Sequence, residues 1–201
     1  LEHAILHMER ANKVDTLSRL LRRHDGSALV FTRTKHGAKG LARDLNARGH
    51  RSVELQGNLS QNARDRAVAM FRSGQADVLV ATNVAARGLD ISGVAVVVNY
   101  ELPETPQWLT HRVGRTARNG AAGRAFTFLT REDAEKWRKL RRLGAPELPG
   151  ADTDHLLNTG DIRWIAAPPM GIADRRPSHR PGQPRGAATF RRRRPRPASV
   201  R

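Results

Sequence analysis

Arg112, Arg115 and Arg118 recur at intervals of three in the stretch HRVGRTAR, residues 111–118. A guanidinium is always charged, and its planar fork fits the oxygens of a phosphate. Two readings suit the trio. It is an exposed basic helix face, or it is a set of arginine fingers that stabilise charge on a phosphoryl group in transfer. On a helix the three drift by about 60° per step, so they share one broad face. Gly114 weakens the helix there. Three like charges on one face call for acids or an anion opposite. A second candidate lies in ATNVAARGLD, residues 81–90. The apolar run stops at Thr82, whose hydroxyl and following N–H groups are expected to face outward at a strand end. Gly88 permits a left-handed turn. Asp90 offers a carboxylate to a pair of ribose hydroxyls or to an arginine, or else merely closes a turn onto ISG.

The rest of a phosphoryl-transfer site does not occur in the chain. No GxxxxGK[ST] loop is present to cradle phosphates. HGAKGLA, residues 36–42, differs: Lys39 precedes Gly40, and no Ser or Thr follows. No pair of acids suited to magnesium stands at an expected strand end. REDAE falls on an expected helix, and DTDH, residues 152–155, falls in a proline-broken region beyond the expected sheet.

These residues need a scaffold, and the hydrophobic pattern supplies one. ALVFT (28–32), SVELQ (52–56), DVLVAT (77–82), VAVVVNY (94–100) and GRAFTFLT (123–130) read as strands. Helical spacing marks 12–24, 34–49, 60–74, the start of 105–118, and 131–144. Ser60 and Thr130 are placed as caps, Gly49 and Gly74 as stops. The chain start, LEHAILHMER, reads as polar helical sequence and as the continuation of something longer. Strand alternating with helix predicts an α/β domain, with a mainly parallel sheet flanked by helices. Ligands in such sheets gather at the carboxyl ends of the strands.

Composition adds a partner class. The 201 residues carry a formal net charge of +17. Ten arginines and no acid lie between Arg175 and Arg201, which leaves +17 − 10 = +7 for residues 1–174. That asymmetry favours an anionic polymer, most simply nucleic acid. The tail is expected to be disordered and to bind RNA by counterion release, unless it is a solvated tail without a role. With no cysteine, disulfides, thiolate metal sites and cysteine nucleophiles are excluded. Neither a membrane-length apolar run nor a secretory signal is present, so a cytoplasmic protein is the expectation.

LVFTRTK, QGNLSQNARDRAVAMF, VLVATNVAARGLDI, VVVNYELP and HRVGRTAR stand in the order and spacing of DEAD-box ATP-dependent RNA helicases. The chain resembles the second, C-terminal RecA-like domain of that family over roughly residues 10–145. The resemblance implies domain bounds of 1–145 for the RecA-like domain, 146–174 for a proline-containing linker or weakly docked segment, and 175–201 for the tail. It implies that Arg115 and Arg118 are the fingers and that Asp90, with Gly88 in its turn, contacts the ATP ribose. His111 and Arg112 match residues at the seam between two domains. Arg33, Thr34, Lys35, Gly57, Gln61, Arg64 and Thr82 fall in the motifs that hold the RNA sugar–phosphate backbone. ATP and Mg2+ would be held mainly by an N-terminal RecA-like domain outside these residues, without which the chain alone is expected to be inactive. A non-enzymatic RNA-binding module derived from a helicase is the alternative. Four positions depart from the family pattern: Gln56, Asn58, Asn83 and Ala117 replace a usual His, Asp, Asp and Gly.

Overall fold

A computed structural model describes residues 1–117 and 122–165 of the chain. The Arg175–Arg201 tail and Arg118 lie outside the described residues. Eight strands form one sheet: β1 (Glu2–His7), β2 (Ala28–Thr32), β3 (Ser52–Leu55), β4 (Val78–Thr82), β5 (Val96–Asn99), β6 (Arg124–Leu129), β7 (Gly150–Ala151) and β8 (Trp164–Ile165), in the order β3-β4-β2-β5-β6-β1-β7-β8. Every pairing is parallel except the antiparallel contact of β7 with β8. The helices are α1 (Lys13–Arg22), α2 (Lys35–Ala47), α3 (Gln61–Arg72), α4 (Asn83–Ala86), α5 (Pro106–Val113), α6 (Ala134–Arg142) and α7 (Thr153–Thr159). Among the described residues, no helix is long and apolar enough to cross a membrane.

The expected α/β architecture follows from burial on both faces. β2 and β4 are buried at all five positions each, and they pair from Ala28↔Val78 to Thr32↔Thr82. Such strands have no solvent face, so they read as continuous apolar runs. Alternate residues still divide between the two layers. Val30, Val80, Val98 and Phe126 meet Leu17 and Leu20 of α1, Leu41 and Leu45 of α2, and Leu156 of α7. On the opposite face, Leu29, Phe31, Leu79 and Val97 meet Val68 and Phe71 of α3. A third cluster gathers Ile5 and Leu129 with Leu109 of α5 and Trp137 and Leu140 of α6.

Caps set where the helices start. Ser60 Oγ accepts from the Ala63 N–H, and Thr34 Oγ1 accepts from the Gly37 N–H. Thr130 and Asp133 form a reciprocal capping box at the entry to α6. Gly49 and Gly74, both placed as stops, follow α2 and α3.

Two regions differ from expectation. The chain start is a strand, not a helix: Ala4, Ile5 and Leu6 are buried, and β1 lies parallel to β6 with Ala4 opposite Phe126. Three apolar residues carry no readable period, and the partner strand lies more than a hundred residues away. Residues 146–165, expected as a linker or weakly docked segment, extend the sheet. β7 pairs with β1 through Gly150 and Ile5, and Leu156 and Leu157 of α7 are buried against α1. DTDH therefore lies on a helix docked to the sheet, with Asp152 as its cap.

Candidate functional site

All parallel strands point the same way, so Thr32, Leu55, Thr82, Asn99 and Leu129 end along one edge. Arg33, Thr34, Lys35, Gln61, Thr82 and Arg112 lie on or beside that edge, whereas Arg115 and Asp90 lie on loops that run back to the start of β5 and the end of α3. Arg112 and Arg115, however, do not share a helix face. Helix α5 starts at Pro106 under the Thr105 cap and ends at Val113, with Gly114 as its C-terminal cap. Arg112 is on the helix and Arg115 is beyond it.

Arg112 is 1% exposed and spends its donors inside the domain. Its Nε donates to Asn83 Oδ1 at 2.6 Å. Its Nη1 donates to the Glu101 carbonyl at 2.6 Å and to Asn99 Oδ1 at 3.3 Å. The guanidinium lies 4.9 Å from the centroid of the Phe31 ring, and Nη2 is buried without a partner. Burial pulls the Arg112 pKa down to about 9, against the fields of Glu101 and Glu104. The group therefore stays charged at neutral pH. Asn83, in place of the usual acid, accepts the same hydrogen bond without contributing charge. The sequence reading missed Phe31, Asn99 and the Glu101 carbonyl as partners. The signal was Asn99, a lone amide closing an apolar strand, which as a buried polar group must find a partner.

Arg115 sits in a loop pinned from several directions. Its N–H donates to the Arg112 carbonyl and its carbonyl accepts from the Val94 N–H. Thr116 Oγ1 donates to the Val94 carbonyl at 2.6 Å. The Arg115 Nη1 donates to the carbonyls of Leu89 and Ile91, at 2.9 and 3.4 Å. The same guanidinium thus grips the loop that carries Asp90, and its Nε and Nη2 make no hydrogen bond within the described residues. Ala117 follows at φ +52°, the left-handed region, where it replaces the usual Gly. A Cβ there costs about 1–2 kcal/mol. Ala117→Gly is therefore expected to stabilise the domain by about 1 kcal/mol in a urea unfolding series, an effect that no shift in the midpoint would contradict.

Asp90 stands on the turn made by Gly88, at φ +75°. Its side chain is 85% exposed, with Arg72 Nη2 at 4.0 Å and the Ser92 hydroxyl donating to it at 3.3 Å. Thr82 does not present its hydroxyl outward as expected. It is 8% exposed, and Oγ1 caps α4 by accepting from the Ala85 N–H. Between these loops opens a cavity of about 670 Å3, lined by Phe31, Asn83, Arg87, Trp108, His111 and Arg115, among others. His111 is exposed and meets Trp108 edge to face at 5.7 Å.

Beside this cavity, the ends of β2, β3 and β4 gather the remaining candidates. Lys35 Nζ donates to Asn58 Oδ1 at 3.2 Å, joining the start of α2 to the loop after β3. Thr34 and Gln61 open α2 and α3, and neither helix has an acid in its first turn. The Glu101 carboxylate nevertheless stands at the entry to α2, where it accepts from the Arg33 N–H. Arg64 Nη2 donates to the Ala85 carbonyl at 3.1 Å, tying α3 to α4. Arg33 is exposed, and its backbone N–H donates to Glu101 Oε2 at 2.7 Å. A Cβ at Gly57 would meet nothing within 4 Å, so the fold itself does not demand glycine there.

The family described as the helicase conserved C-terminal domain matches residues 12–120. The C-terminal domain of the DEAD-box protein Dbp5 superposes with a TM-score of 0.69 at 33% identity, over 79% of this chain and 95% of that one. The chain belongs to the DEAD-box helicase C-terminal domains. The ATP-dependent rRNA helicase RRP3 of Coccidioides immitis is 48% identical over 122 residues, 61% of this chain and 26% of its own length. The L327V variant of Saccharomyces cerevisiae Dbp5 bound to RNA and ADP BeF3 superposes at 33% identity with a TM-score of 0.69, over 78% of this chain and 43% of that one. This helicase domain spans about a quarter of the length of the curated relatives it matches. Two departures of the DEAD-box domain from its family pattern fit together locally. Gln56 Oε1 accepts the Asn58 N–H at 2.6 Å, and Asn58 in turn accepts from Lys35.

Proposed function

We propose that this domain is the C-terminal half of an ATP-dependent RNA helicase, which closes on an N-terminal RecA-like domain to hydrolyse ATP on bound RNA. The observation that carries the reading is Arg115. Its Nη1 is anchored to the Asp90 loop, while its Nε and Nη2 remain for a phosphate. ATP supplies the γ-phosphoryl group that passes to water. On this chain, Asp90 offers its exposed carboxylate to the ribose, and Arg115, with Arg118, stabilises charge on the transferring group. His111 and Trp108 line the cavity that faces the partner domain. Arg33, Thr34, Lys35, Gly57, Gln61, Arg64 and Thr82 hold or shape the RNA backbone, a contact that carries little sequence information. Thr82 does so by positioning α4 rather than by offering its hydroxyl. Among the described residues, no group of three or more His, Cys, Asp or Glu side chains stands close enough to hold a metal. Mg2+ therefore fits no donor set described here, and the reading assigns it to the N-terminal domain.

Fingers act only when set beside the γ-phosphate, so closure supplies the rate. The test is RNA-stimulated ATP hydrolysis by the 201-residue chain alone and by the chain fused behind a DEAD-box N-terminal domain. Turnover is expected only in the fusion. Turnover by the chain alone would overturn the division of labour. RNA binding without turnover in either form would favour a non-enzymatic RNA-binding module.

A further inference from the structure

The carboxyl edge of the sheet carries a second cavity, of about 320 Å3, over the ends of β1, β2, β5 and β6. Its lining sets Arg10, Lys13, Arg33 and Lys136 against Glu101, Glu132 and Asp133. Lys13 is the unexpected member. It opens α1, it is 9% exposed, and its ammonium lies 4.3 Å from the centroid of the Tyr100 ring. Its Nζ makes no hydrogen bond within the described residues. An ammonium largely withdrawn from water and without a protein acceptor is costly. The position is unfavourable twice more, at the positive end of a helix and in the repelling field of Arg10. Glu101, Glu132 and Asp133 offset this at a distance, yet burial still outweighs them and lowers the Lys13 pKa.

The neighbouring carboxylates already have local duties. Glu101 accepts from the Arg33 backbone N–H at 2.7 Å. Asp133 accepts from the Thr130 N–H and hydroxyl, at 3.0 and 2.9 Å. Glu104 takes Lys136 at 2.7 Å. The side chains of Arg10, Lys13 and Arg33 have no such partner among the described residues. Glu132 also lines the cavity, exposed and with its carboxyl pKa lowered chiefly by a hydrogen bond with Thr130. The cations left without a partner outnumber it, and Arg33 also belongs to the RNA-facing set.

We propose that this cavity takes a phosphate group of the RNA strand beyond those held at β2–β4, with Lys13 as its buried donor and Arg10 and Arg33 at its mouth. The assignment rests on the RNA-binding reading above. A phosphate oxygen supplies the acceptor that Lys13 lacks, and Tyr100 holds the ammonium in place when no phosphate is bound.

The test compares the full chain with Lys13→Met and Lys13→Arg, measuring oligouridylate affinity across a salt series. Lys13→Met is expected to weaken binding about tenfold at low salt. It is expected to reduce the slope of log affinity against log salt by about 0.7, the value for one contact to a single strand. Lys13→Arg retains both. Lys13→Met is also expected to melt no lower than the parent, since it removes a charge that its partial burial disfavours. Unchanged affinity and slope in Lys13→Met would overturn the proposal. In that case Lys35→Ala separates the two readings. If it lowers the slope, the RNA face stands and only the cavity assignment falls; if it too is silent, the RNA face falls as well. A thermal shift with inorganic phosphate tests the other source. Stabilisation of the parent but not of Lys13→Met, with RNA binding unchanged, assigns the cavity to free phosphate and overturns its place on the strand.

Discussion

Arg112→Ala is expected to destabilise the domain by about 3 kcal/mol, the sum of several neutral acceptors left without their donor. The substitution orphans Asn83 Oδ1, the Asn99 amide oxygen and the Glu101 carbonyl, and it empties the space over Phe31. Each buried acceptor left unmade costs about 1–3 kcal/mol. The guanidinium's own burial opposes this, as its lowered pKa shows, so removing the charge returns part of the loss. Arg112→Met separates the two effects. It keeps the stem and sheds the charge, and is expected to cost less than alanine. Asn83→Asp acts in the other direction. It gives Nε a carboxylate in the same place and is expected to raise stability by about 1–2 kcal/mol, since hydrogen bonds between charged groups are roughly twice as strong. Urea unfolding at neutral pH measures all three. An Arg112→Ala loss below about 1 kcal/mol, the worth of an ordinary hydrogen bond, would show that Arg112 is not the internal tie between β2, α4, β5 and α5.

The second large effect falls on turnover rather than stability. In a complete two-domain enzyme, Arg115→Ala is expected to lower RNA-stimulated turnover by about 10³-fold or more, the range for loss of an arginine finger. RNA affinity is expected to stay within about twofold, a small fraction of one charge-assisted contact. Arg115→Lys is expected to rescue stability but not turnover. A lysine can reach a carbonyl of the 89–91 loop, but it cannot hold that carbonyl and a phosphate with one planar fork. If Arg115→Ala lost turnover only in proportion to the unfolded fraction, the residue would be a loop anchor and nothing more.

The division between Arg112 and Arg115 could not be read from their spacing. Intervals of three placed them on one helix face, whereas the helix ends between them. What decides the matter is distant: Asn83, Asn99 and Phe31 come from three other elements, and only the fold brings them to Arg112. Thr82 is a similar case. A threonine at the end of an apolar run reads as exposed, but the four-residue helix that follows turns its hydroxyl into a cap. The central sheet was legible because ALVFT and VLVAT are buried on both faces and so appear as unbroken apolar runs. The capping residues Ser60 and Thr130 were legible because caps are local chemistry. β1, β7 and β8 were not, because strands of two to six residues with three or fewer buried apolar side chains depend on partners far along the chain. Ala117 was legible as a departure from the family pattern, and its left-handed backbone gives that departure a physical cost.

The strand order also bears on how this domain behaves in crowded solution. The sheet is flanked by β3, of four residues, and β8, of two, while its long strands lie inside. An open edge is a template on which another molecule can add a strand, and long flat edges invite fibrils. Four residues offer few ladder bonds and two offer almost none. The approach to β3 is further marked by the charged pair Arg51–Asp77 and by Glu54 within the strand. Growth of aggregates by edge-to-edge pairing is therefore discouraged by strand length.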